Sequence, residues 1–218
     1  MKFQDLVRIN LAAKFIHESN LIEDVDIKIE AIREWIKMRY KLGHVGALLF
    51  LEYCLDKDIR FSEIVLFQIH RYIIDEQNEY FSDILISENL IGKYRNKPVK
   101  IGTRFGLDHR LIRDEMAKLI ERIEKFQLKE KNKTGLLRKS DEHGIVEKIA
   151  DFHFRYERIH PFIDGNGRTG RLLVWYLMKF AGLKPFIFTS RDKGHTYYEA
   201  CRSQKLMREY FATRALSA

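Results

Sequence analysis

The sequence contains little of what marks disulfide-stapled, disordered or membrane-spanning proteins. Its 218 residues include only 2 cysteines, Cys54 and Cys201, which lie far apart and lack the spacing of a metal site or a disulfide framework. Only 3 prolines and 12 glycines occur, so little of the chain has the composition of a disordered linker. No apolar run approaches the ~20 residues that cross a bilayer. We therefore expect a folded protein in a reducing, cytoplasmic compartment, without a membrane partner.

Positive charge is in excess, with a formal net charge of +8 and a sequence pI near 9.4. This balance favours negatively charged partners such as nucleotides, nucleic acids or acidic protein surfaces, although a solvated basic surface explains it equally well. No run of about five like charges occurs, because the densest cluster, at residues 129–133, is interrupted by Glu130 and Asn132. Nucleic acid is therefore the less favoured partner.

Apolar residues recur at helical spacing along most of the chain. Residues 35–45 follow the spacing of one helix face, residues 111–126 form a second amphipathic stretch, and residues 56–60 are a polar break. Residues 93–101 instead show strand-like alternation around an Asn-Lys-Pro turn signal, which predicts a short hairpin. Residues 129–141 have the composition of a polar loop between two helices. With 45% hydrophobic residues, the sequence predicts one all-α domain of about six to eight helices with a short β-hairpin.

Two apolar helices flank one polar segment in the last third of the chain. Residues 145–159 carry an apolar stripe at spacings of four and three, which predicts a helix. This helix must stop near His160, because Pro161 disfavours the helical region for the residue before it. A second apolar helix is predicted over residues 172–180. The segment between them, residues 160–171, forms a tight loop that opens the second helix.

This loop has the residue types of an anion site. Free backbone N–H groups and the positive end of the dipole attract anions to the start of a helix. Gly165 and Gly167 let the backbone turn sharply and approach a phosphate closely. Arg168 and Arg171 stand three positions apart, so they project from one face of the first helical turn, and their guanidinium forks suit phosphate oxygens.

Asp164 and His160 add two further chemical groups to the same loop. One carboxylate suits Mg²⁺, because this ion takes one or two protein carboxylates and completes its shell with phosphates and water. A histidine has the ordinary pKa range of a general base. Each feature alone is commonly a turn, a cap or a surface residue. Their concentration in one loop favours attack on a metal-bound phosphate.

Residues 160–171 resemble the signature of the Fic family, His-x-Phe-x-Asp/Glu-Gly-Asn-Gly-Arg-x-x-Arg, at every specified position. The resemblance implies a protein adenylyltransferase, which uses ATP and Mg²⁺ to attach AMP to a hydroxyl of a target protein. It also implies a Fic-type helical bundle that occupies residues 1–218 as a single domain. The family core would span residues 91–200, with a target-docking flap at 92–102 and an inhibitory region at 1–30.

The same resemblance implies a role for each residue of the motif. His160 would deprotonate the hydroxyl of a target Tyr, Thr or Ser, which attacks the α-phosphorus while pyrophosphate leaves. Asp164 would hold Mg²⁺ against the α- and β-phosphates, and Phe162 would anchor the loop in the core. The remaining implied nucleotide contacts are Asn166, Gly165 and Gly167 at the α-phosphate, and Arg168 and Arg171 at the β- and γ-phosphates.

The family resemblance also implies roles for two further groups of residues. Tyr197 and Tyr198 would line the pocket of the nucleotide base, although one of them reads equally well as a core residue. In the flap, Tyr94, Val99 and Ile101 would dock the target protein. The expected partners are a protein with a Tyr, Thr or Ser hydroxyl, the chain itself through self-modification, and a second copy in a homodimer.

A second resemblance lies near the N-terminus. Residues 19–23 read Ser-Asn-Leu-Ile-Glu and resemble the inhibitory motif of the family, Ser/Thr-x-x-x-Glu followed by Gly or Asn. It implies that Ser19 and Glu23 lie on an N-terminal helix and that Glu23 pairs with Arg171, which denies this arginine to the γ-phosphate. Asp24 stands where the family has Gly or Asn, so the end of this helix departs from the motif.

Two alternatives to adenylyl transfer stay open. The first keeps the same site for a different reaction, namely removal of AMP from a modified protein or transfer of another phosphate-containing group. The second is a basic, non-enzymatic protein that binds nucleic acid. Against this second alternative, no predicted helix shows clustered Lys and Arg residues with interleaved aromatic side chains.

Overall fold

The structure is a computed structural model that describes residues 3–80, 85–102, 104–131 and 139–215. The all-α class with a short β-hairpin is confirmed. The described residues hold nine α-helical segments against the expected six to eight, one of them only three residues long, and none has the length and apolar character to cross a bilayer. In chain order the elements are α1 (Phe3–Ile22), α2 (Ile29–Lys37), α3 (Gly43–Asp56), α4 (Glu63–Tyr80), β1 (Lys100–Ile101), β2 (Arg104–Phe105), α5 (Ile112–Lys131), α6 (Lys139–Ile159), α7 (Asn166–Phe180), α8 (Tyr198–Ala200) and α9 (Gln204–Ala215).

Helix α7 lies at the centre of the fold. Twelve of its fifteen residues are buried, and it packs against α1, α3, α4 and α6. Leu172 and Leu177 are fully buried apolar members, whereas Arg168 and Arg171 are buried charges on its first turn. A buried charge persists only where it is paired or hydrogen-bonded. The first turn of α7 is therefore the place in the core where polar chemistry is concentrated.

Helix α6 ends where the sequence predicts. Ile159 is its last residue, and the N–H of His160 still donates to the carbonyl of Tyr156 at 2.9 Å. His160 itself takes a left-handed φ of 51°, and Pro161 follows. Left-handed backbone at a residue other than glycine is uncommon and concentrates at functional sites. The backbone thus leaves the helical path at His160, the first residue of the motif loop.

The prediction of one helix over residues 35–45 is wrong. Helix α2 ends at Lys37 and α3 begins at Gly43, with Met38 67% exposed between them. The chain folds back because the N–H of Tyr40 donates to the carbonyl of Trp35 at 2.9 Å and the two rings stack. The apolar residues that share helical spacing here belong to two helices, which spacing alone does not separate.

The hairpin exists, but it lies later in the chain than predicted. Strands β1 and β2 are antiparallel, with Lys100 opposite Phe105 and Ile101 opposite Arg104, so the predicted turn at Asn-Lys-Pro is not the turn of the hairpin. The buried side chain of Arg95 explains the shift, because its Nη1 donates to the carbonyl of Lys97 at 2.8 Å. This bond holds the preceding segment in an irregular turn.

The polar loop predicted over residues 129–141 is shorter in the structure. Helix α5 continues to Lys131 and α6 begins at Lys139, so both ends of the predicted loop are helical. The exposed side of a helix can have the same polar composition as a loop, so composition alone does not distinguish the two, which explains the error. The rest of the predicted loop, residues 132–138, lies outside the described residues.

The end of α1 explains how the chain accommodates Asp24. This residue has a φ of 60°, and the N–H of Val25 returns to the carbonyl of Asn20 at 3.0 Å. Aspartate and asparagine adopt left-handed backbone more readily than other residues with a side chain. Asp24 therefore takes a conformation for which the family motif uses Gly or Asn. Its carboxylate also pairs with Lys193 at 2.7 Å, although the Asp24 side chain is 86% exposed.

Replacing Asp24 by valine is expected to lower the free energy of unfolding by about 1–2 kcal/mol, because a β-branched residue is strained in left-handed backbone. The matched variant Asp24→Asn loses the same exposed ion pair and should change stability by less than about 0.5 kcal/mol. Urea unfolding of both variants checks this prediction. Equal losses in both variants would assign the effect to the ion pair with Lys193.

Candidate active site

The motif segment forms a closed loop between α6 and α7. Gly165 has a φ of 72°, and a Cβ added there would lie 3.0 Å from Cδ1 of Ile74, so only glycine fits without strain. The Asn166 side chain closes the loop, because its Oδ1 accepts from the N–H of Phe162 and its Nδ2 donates to the Phe162 carbonyl, both at 2.9 Å. Both ends of this amide are thus used within the loop. The predicted contact between Asn166 and a nucleotide stays a prediction.

His70 of α4 holds the same loop in place through one ring contact and two hydrogen bonds. Its ring stacks on the buried ring of Phe162, with centroids 3.8 Å apart. Its Nε2 bonds to the carbonyl of Asp164 at 3.1 Å, and its Nδ1 accepts from the N–H of Gly92 at 2.9 Å. Since Nδ1 faces a donor, the proton of the neutral ring lies on Nε2. His70 is not among the site residues predicted from the sequence, because a histidine on an apolar helix is the only signal there.

The His70 contacts predict a pH-dependent stability. Burial lowers the pKa of His70 to about 3, below the value of ~6.5 in an unfolded chain. Below about pH 6.5 the unfolded chain takes up a proton that the folded chain refuses, so stability from this group is complete above that pH and falls as the pH falls. Well below pH 6.5, His70 alone should lower the free energy of unfolding by about 1.4 kcal/mol for each unit that the pH falls. Urea unfolding between about pH 5 and 7 should show a flatter slope for His70→Gln, and parallel slopes would contradict the prediction.

His160 lies at the start of the loop with 19% of its side chain exposed. Burial, assisted by the positive charges of Arg104 and Arg95, lowers the pKa of His160 to about 4. The imidazole is therefore neutral near pH 7, as a general base must be. Its Nδ1 lies 3.8 Å from Oε2 of Glu157, a buried carboxylate whose pKa burial raises to about 7.

Arg95 is a functional neighbour that the sequence analysis missed. Its backbone N–H donates to the carbonyl of Pro161 at 2.9 Å, and its Nε donates to the carbonyl of His160 at 2.8 Å. The buried Arg95 side chain therefore ties the segment before the hairpin to the backbone of the predicted base. Arg95 is one of several basic residues in the flap sequence, so nothing in the sequence distinguishes it for this role.

The two motif arginines are buried at the start of α7, with 5% of Arg168 and none of Arg171 exposed. Nη2 of Arg168 donates to Oε1 of Gln77 on α4. Nε of Arg168 and Nη1 of Arg171 make no hydrogen bond within the described part of the chain. Buried donors of this kind are rare, and an anion at the helix start satisfies them. The structure thus brings the predicted phosphate-binding residues together with donors free to bind.

Glu23 reaches the same place from the end of α1. Its Oε1 accepts from Nη2 of Arg171 at 2.7 Å, while Ser19 accepts from the same guanidinium through its hydroxyl at 2.8 Å and its carbonyl at 2.9 Å. A Cβ added at Gly167 would lie 2.3 Å from Oε1 of Glu23, so the carboxylate rests directly on the backbone of the first turn of α7. Burial lowers the pKa of Arg171, but the charge of Glu23, the hydrogen bond to Glu23 and the nearby Tyr197 and Glu157 together outweigh burial and raise the pKa.

Asp164 is the exposed carboxylate of the loop. Its Oδ2 accepts from Nε2 of Gln77 at 2.7 Å, and its Oδ1 accepts from the N–H of Gly165 at 2.6 Å. No group of three or more His, Cys, Asp or Glu side chains that would hold a metal occurs among the described residues. Gln77 therefore holds both Asp164 and Arg168, a role that the sequence analysis did not assign.

The two tyrosines predicted for the base pocket differ in their surroundings. Tyr197 is buried, its hydroxyl lies 2.9 Å from Nε2 of His153, and its ring centroid lies 5.9 Å from Cζ of Arg171. Tyr198 is 45% exposed. Tyr197 thus supports the buried arginine, whereas Tyr198 is free to contact a ligand.

The predicted docking residues of the flap also differ from one another. The ring of Tyr94 packs against Phe67 at 4.8 Å, and Val99 and Ile101 are half-buried. Phe105 on β2, which the sequence analysis did not name, is 71% exposed. The most prominent apolar side chain of the hairpin is therefore on its second strand.

Comparison with known proteins identifies the family. A family model described as the Fic/DOC family matches residues 60–178, more than half of the chain. The chain belongs to the Fic/DOC family. It is 46% identical over 54 residues to the protein adenylyltransferase Fic of Nematostella vectensis, which is 25% of this chain but only 12% of that relative. The match to this Fic relative thus spans about an eighth of the relative's length.

Solved structures of other Fic proteins share the fold. A Fic domain containing signaling protein from Bacteroides thetaiotaomicron superposes with a TM-score of 0.73 at 21% identity, covering 100% of this chain and 88% of that chain. The effector protein BepC from Bartonella tribocorum, solved with bound AMPPNP, superposes with a TM-score of 0.51 at 18% identity over 77% of this chain and 85% of that chain. At these identities the likeness concerns the fold.

Proposed function

We propose that this Fic/DOC protein is a protein adenylyltransferase that transfers AMP from ATP to a Tyr, Thr or Ser hydroxyl of a target protein. One observation carries the proposal: a neutral histidine, a carboxylate and two buried arginines with unused donors converge on the start of α7. The name of the relative from Nematostella vectensis and the AMPPNP bound to the Bartonella neighbour support the choice of an adenine nucleotide.

The proposed reaction begins with ATP bound at the start of α7. Arg168 and Arg171 hold the β- and γ-phosphates, and the backbone N–H groups after Gly165 receive the α-phosphate. His160 takes the proton of the target hydroxyl. The hydroxyl oxygen forms a bond to the α-phosphorus, the bond from that phosphorus to the bridging β-oxygen breaks, and pyrophosphate leaves with the electron pair. The products are an AMP-modified protein and pyrophosphate.

Asp164 is the residue that would hold Mg²⁺. The donor set fits this ion, because a single exposed carboxylate beside an anion site matches a metal that completes its shell with nucleotide phosphates and water. When bound, the ion supplies neutralisation of phosphate charge. Gln77 keeps the Asp164 carboxylate oriented through the bond at 2.7 Å and positions Arg168 on the same side of the loop.

Glu23 is proposed to act as a brake on this reaction. Its carboxylate bonds to Arg171 and rests on the backbone at Gly167, where an anionic phosphate group is expected to bind. Two anions cannot share these donors without repulsion. ATP therefore binds productively only when Glu23 leaves Arg171, which holds the activity of the intact chain low.

Transfer of label from ATP to protein tests the proposal. The Glu23→Gly chain is incubated with a cell extract, magnesium and ATP that is radiolabelled on either the α- or the γ-phosphate. We expect labelled proteins with the α-label and none above background with the γ-label. Labelling from the γ-phosphate would indicate a kinase-type reaction instead. Loss of AMP from previously modified proteins, without any gain of label, would indicate the reverse reaction.

A further inference from the structure

A groove of about 420 Å³ lies beside strand β2 and the last turns of α6. Arg104 and Phe105 of the hairpin form one wall, and Phe154, Arg155 and Arg158 of α6 form the other. Arg158 is exposed, and Arg155 and Phe154 are half-buried. Ile159, the last residue of α6, also lines the groove, so the groove borders the residue that precedes His160.

The groove lining holds three arginines but only one carboxylate. Within the described part of the chain, Arg104, Arg155 and Arg158 form no ion pair with an acidic side chain. That carboxylate, Glu115, is paired with Lys118 at 2.6 Å and is also attracted by the charge of Arg155. Burial and the neighbouring charge of Arg158 both lower the pKa of Arg104. Arg104 and Arg158 thus repel one another, and an anionic partner relieves that repulsion.

The aromatic side chains point to a protein partner. Phe105 is 71% exposed at the edge of a two-stranded hairpin, and Phe154 lies among the arginines on the facing helix. Aromatic and arginine side chains together are enriched in protein interfaces. The short strand β2 also presents backbone groups beside the groove, which suit an extended peptide.

We propose that this groove binds an acidic, extended segment of the target protein that flanks the hydroxyl to be modified. The inference rests on the proposed function, because it names the sequence that the adenylyltransferase would select. An extended chain advances about 3.3 Å per residue, so acidic residues a few positions from the hydroxyl reach Arg155 and Arg158 while the hydroxyl lies at His160. Selection thus depends on charge next to the acceptor residue.

Peptide binding to the chain of 218 residues tests this proposal without ATP. The probes are two fluorescein-labelled peptides with one central Tyr, flanked in one by Glu and Asp and in the other by Gln and Asn. Their affinities are measured by fluorescence anisotropy for the wild type, for Arg155→Glu/Arg158→Glu, and for the control Lys14→Glu/Lys57→Glu. The control makes the same change in net charge at exposed lysines outside the groove.

The wild type should bind the acidic peptide at least about tenfold more tightly than the amide peptide. The groove variant should lose that preference, whereas the control should stay within about twofold of wild type. Arg158→Gln, a milder change at an exposed side chain, should give an intermediate loss and guards against misfolding of the double variant. Thermal unfolding of each variant verifies that it is folded.

Several results would overturn the proposal. Equal weakening by the groove and control variants would mean that only net charge matters. Equal binding of the two peptides would remove the acidic preference. Tighter binding of single-stranded oligothymidylate, lost in the groove variant, would assign the groove to nucleic acid. Since binding is read without ATP, a failure here is distinct from a failure of AMP transfer in the labelling experiment.

Discussion

Replacement of Glu23 by glycine is expected to raise the rate of AMP transfer by roughly 10²-fold, the value of one charged donor in a transition state. In the intact chain, Nη2 of Arg171 is bonded to Glu23 at 2.7 Å, and the carboxylate covers the backbone at Gly167. Removing the carboxylate frees this donor for the γ-phosphate, while the two hydrogen bonds that Arg171 donates to Ser19 still hold the guanidinium in place. Initial rates with labelled ATP check the prediction.

Glu18→Gly is the matched control for this experiment. Glu18 lies inside α1, whereas Glu23 follows the last residue of α1, so Glu18→Gly removes the same charge and disturbs the helix at least as much. Its carboxylate accepts from Ser190 at 2.8 and 2.9 Å instead of from Arg171. An equal gain in rate for Glu18→Gly would mean that loosening α1 is enough, and that the Glu23–Arg171 pair is not the brake. ATP should also stabilise Glu23→Gly against heat more than it stabilises wild type, because binding to the folded state is then unopposed.

His160→Ala, made in the Glu23→Gly background, is expected to lower the rate by about 10²- to 10⁴-fold, the usual contribution of a general base. The affinity for ATP should stay unchanged, since the two arginines and the start of α7 keep their contacts. Initial rates and calorimetric titration with ATP separate the two effects. Because the pKa of His160 is lowered to about 4, the titration of His160 itself should place no midpoint near pH 6.5 in the rate profile.

The control for His160→Ala is His143→Ala, a change at an exposed histidine within helix α6, the helix that ends just before His160. It should leave both the rate and the affinity for ATP unchanged. If His160→Ala weakened ATP binding as much as it slowed transfer, His160 would be a structural residue of the loop. An undiminished rate would show that another group accepts the proton.

The limits of the active-site loop follow from local signals in the sequence. The apolar stripe of α6 and the presence of Pro161 place its end at Ile159, and the structure agrees. The loop also brings together the residues predicted from their chemical types, because all of them lie in one short segment. Where a function depends on neighbours along the chain, spacing and residue type are sufficient.

The supports of the loop could not be predicted in this way. The bond from Gln77 to Asp164 joins positions 87 residues apart, and the bond from His70 to the Asp164 carbonyl joins positions 94 residues apart. Such pairs depend on which faces of α4 and the loop meet, which no local pattern encodes. The pairing of Glu23 with Arg171, 148 residues apart, was expected only through the family resemblance.

Errors in the predicted elements have the same origin. The helix expected over residues 35–45 fails because Tyr40 returns to Trp35 in a tertiary turn. The hairpin is displaced because the buried Arg95 side chain takes backbone carbonyls near its expected turn. In both places the path of the backbone depends on a contact that the local periodicity of the sequence does not predict.

The most direct test of the account is mass spectrometry after incubation with ATP and magnesium. Wild type, Glu23→Gly and Glu23→Gly/His160→Ala are each mixed with a cell extract, and peptides of the chain and of the extract are analysed. If Glu23 is the brake and His160 the base, the Glu23→Gly sample contains peptides with AMP on a Tyr, Thr or Ser hydroxyl. Wild type then gives few such peptides and the double variant none. Absence of such peptides from the Glu23→Gly sample, or their undiminished presence with the double variant, would contradict the account.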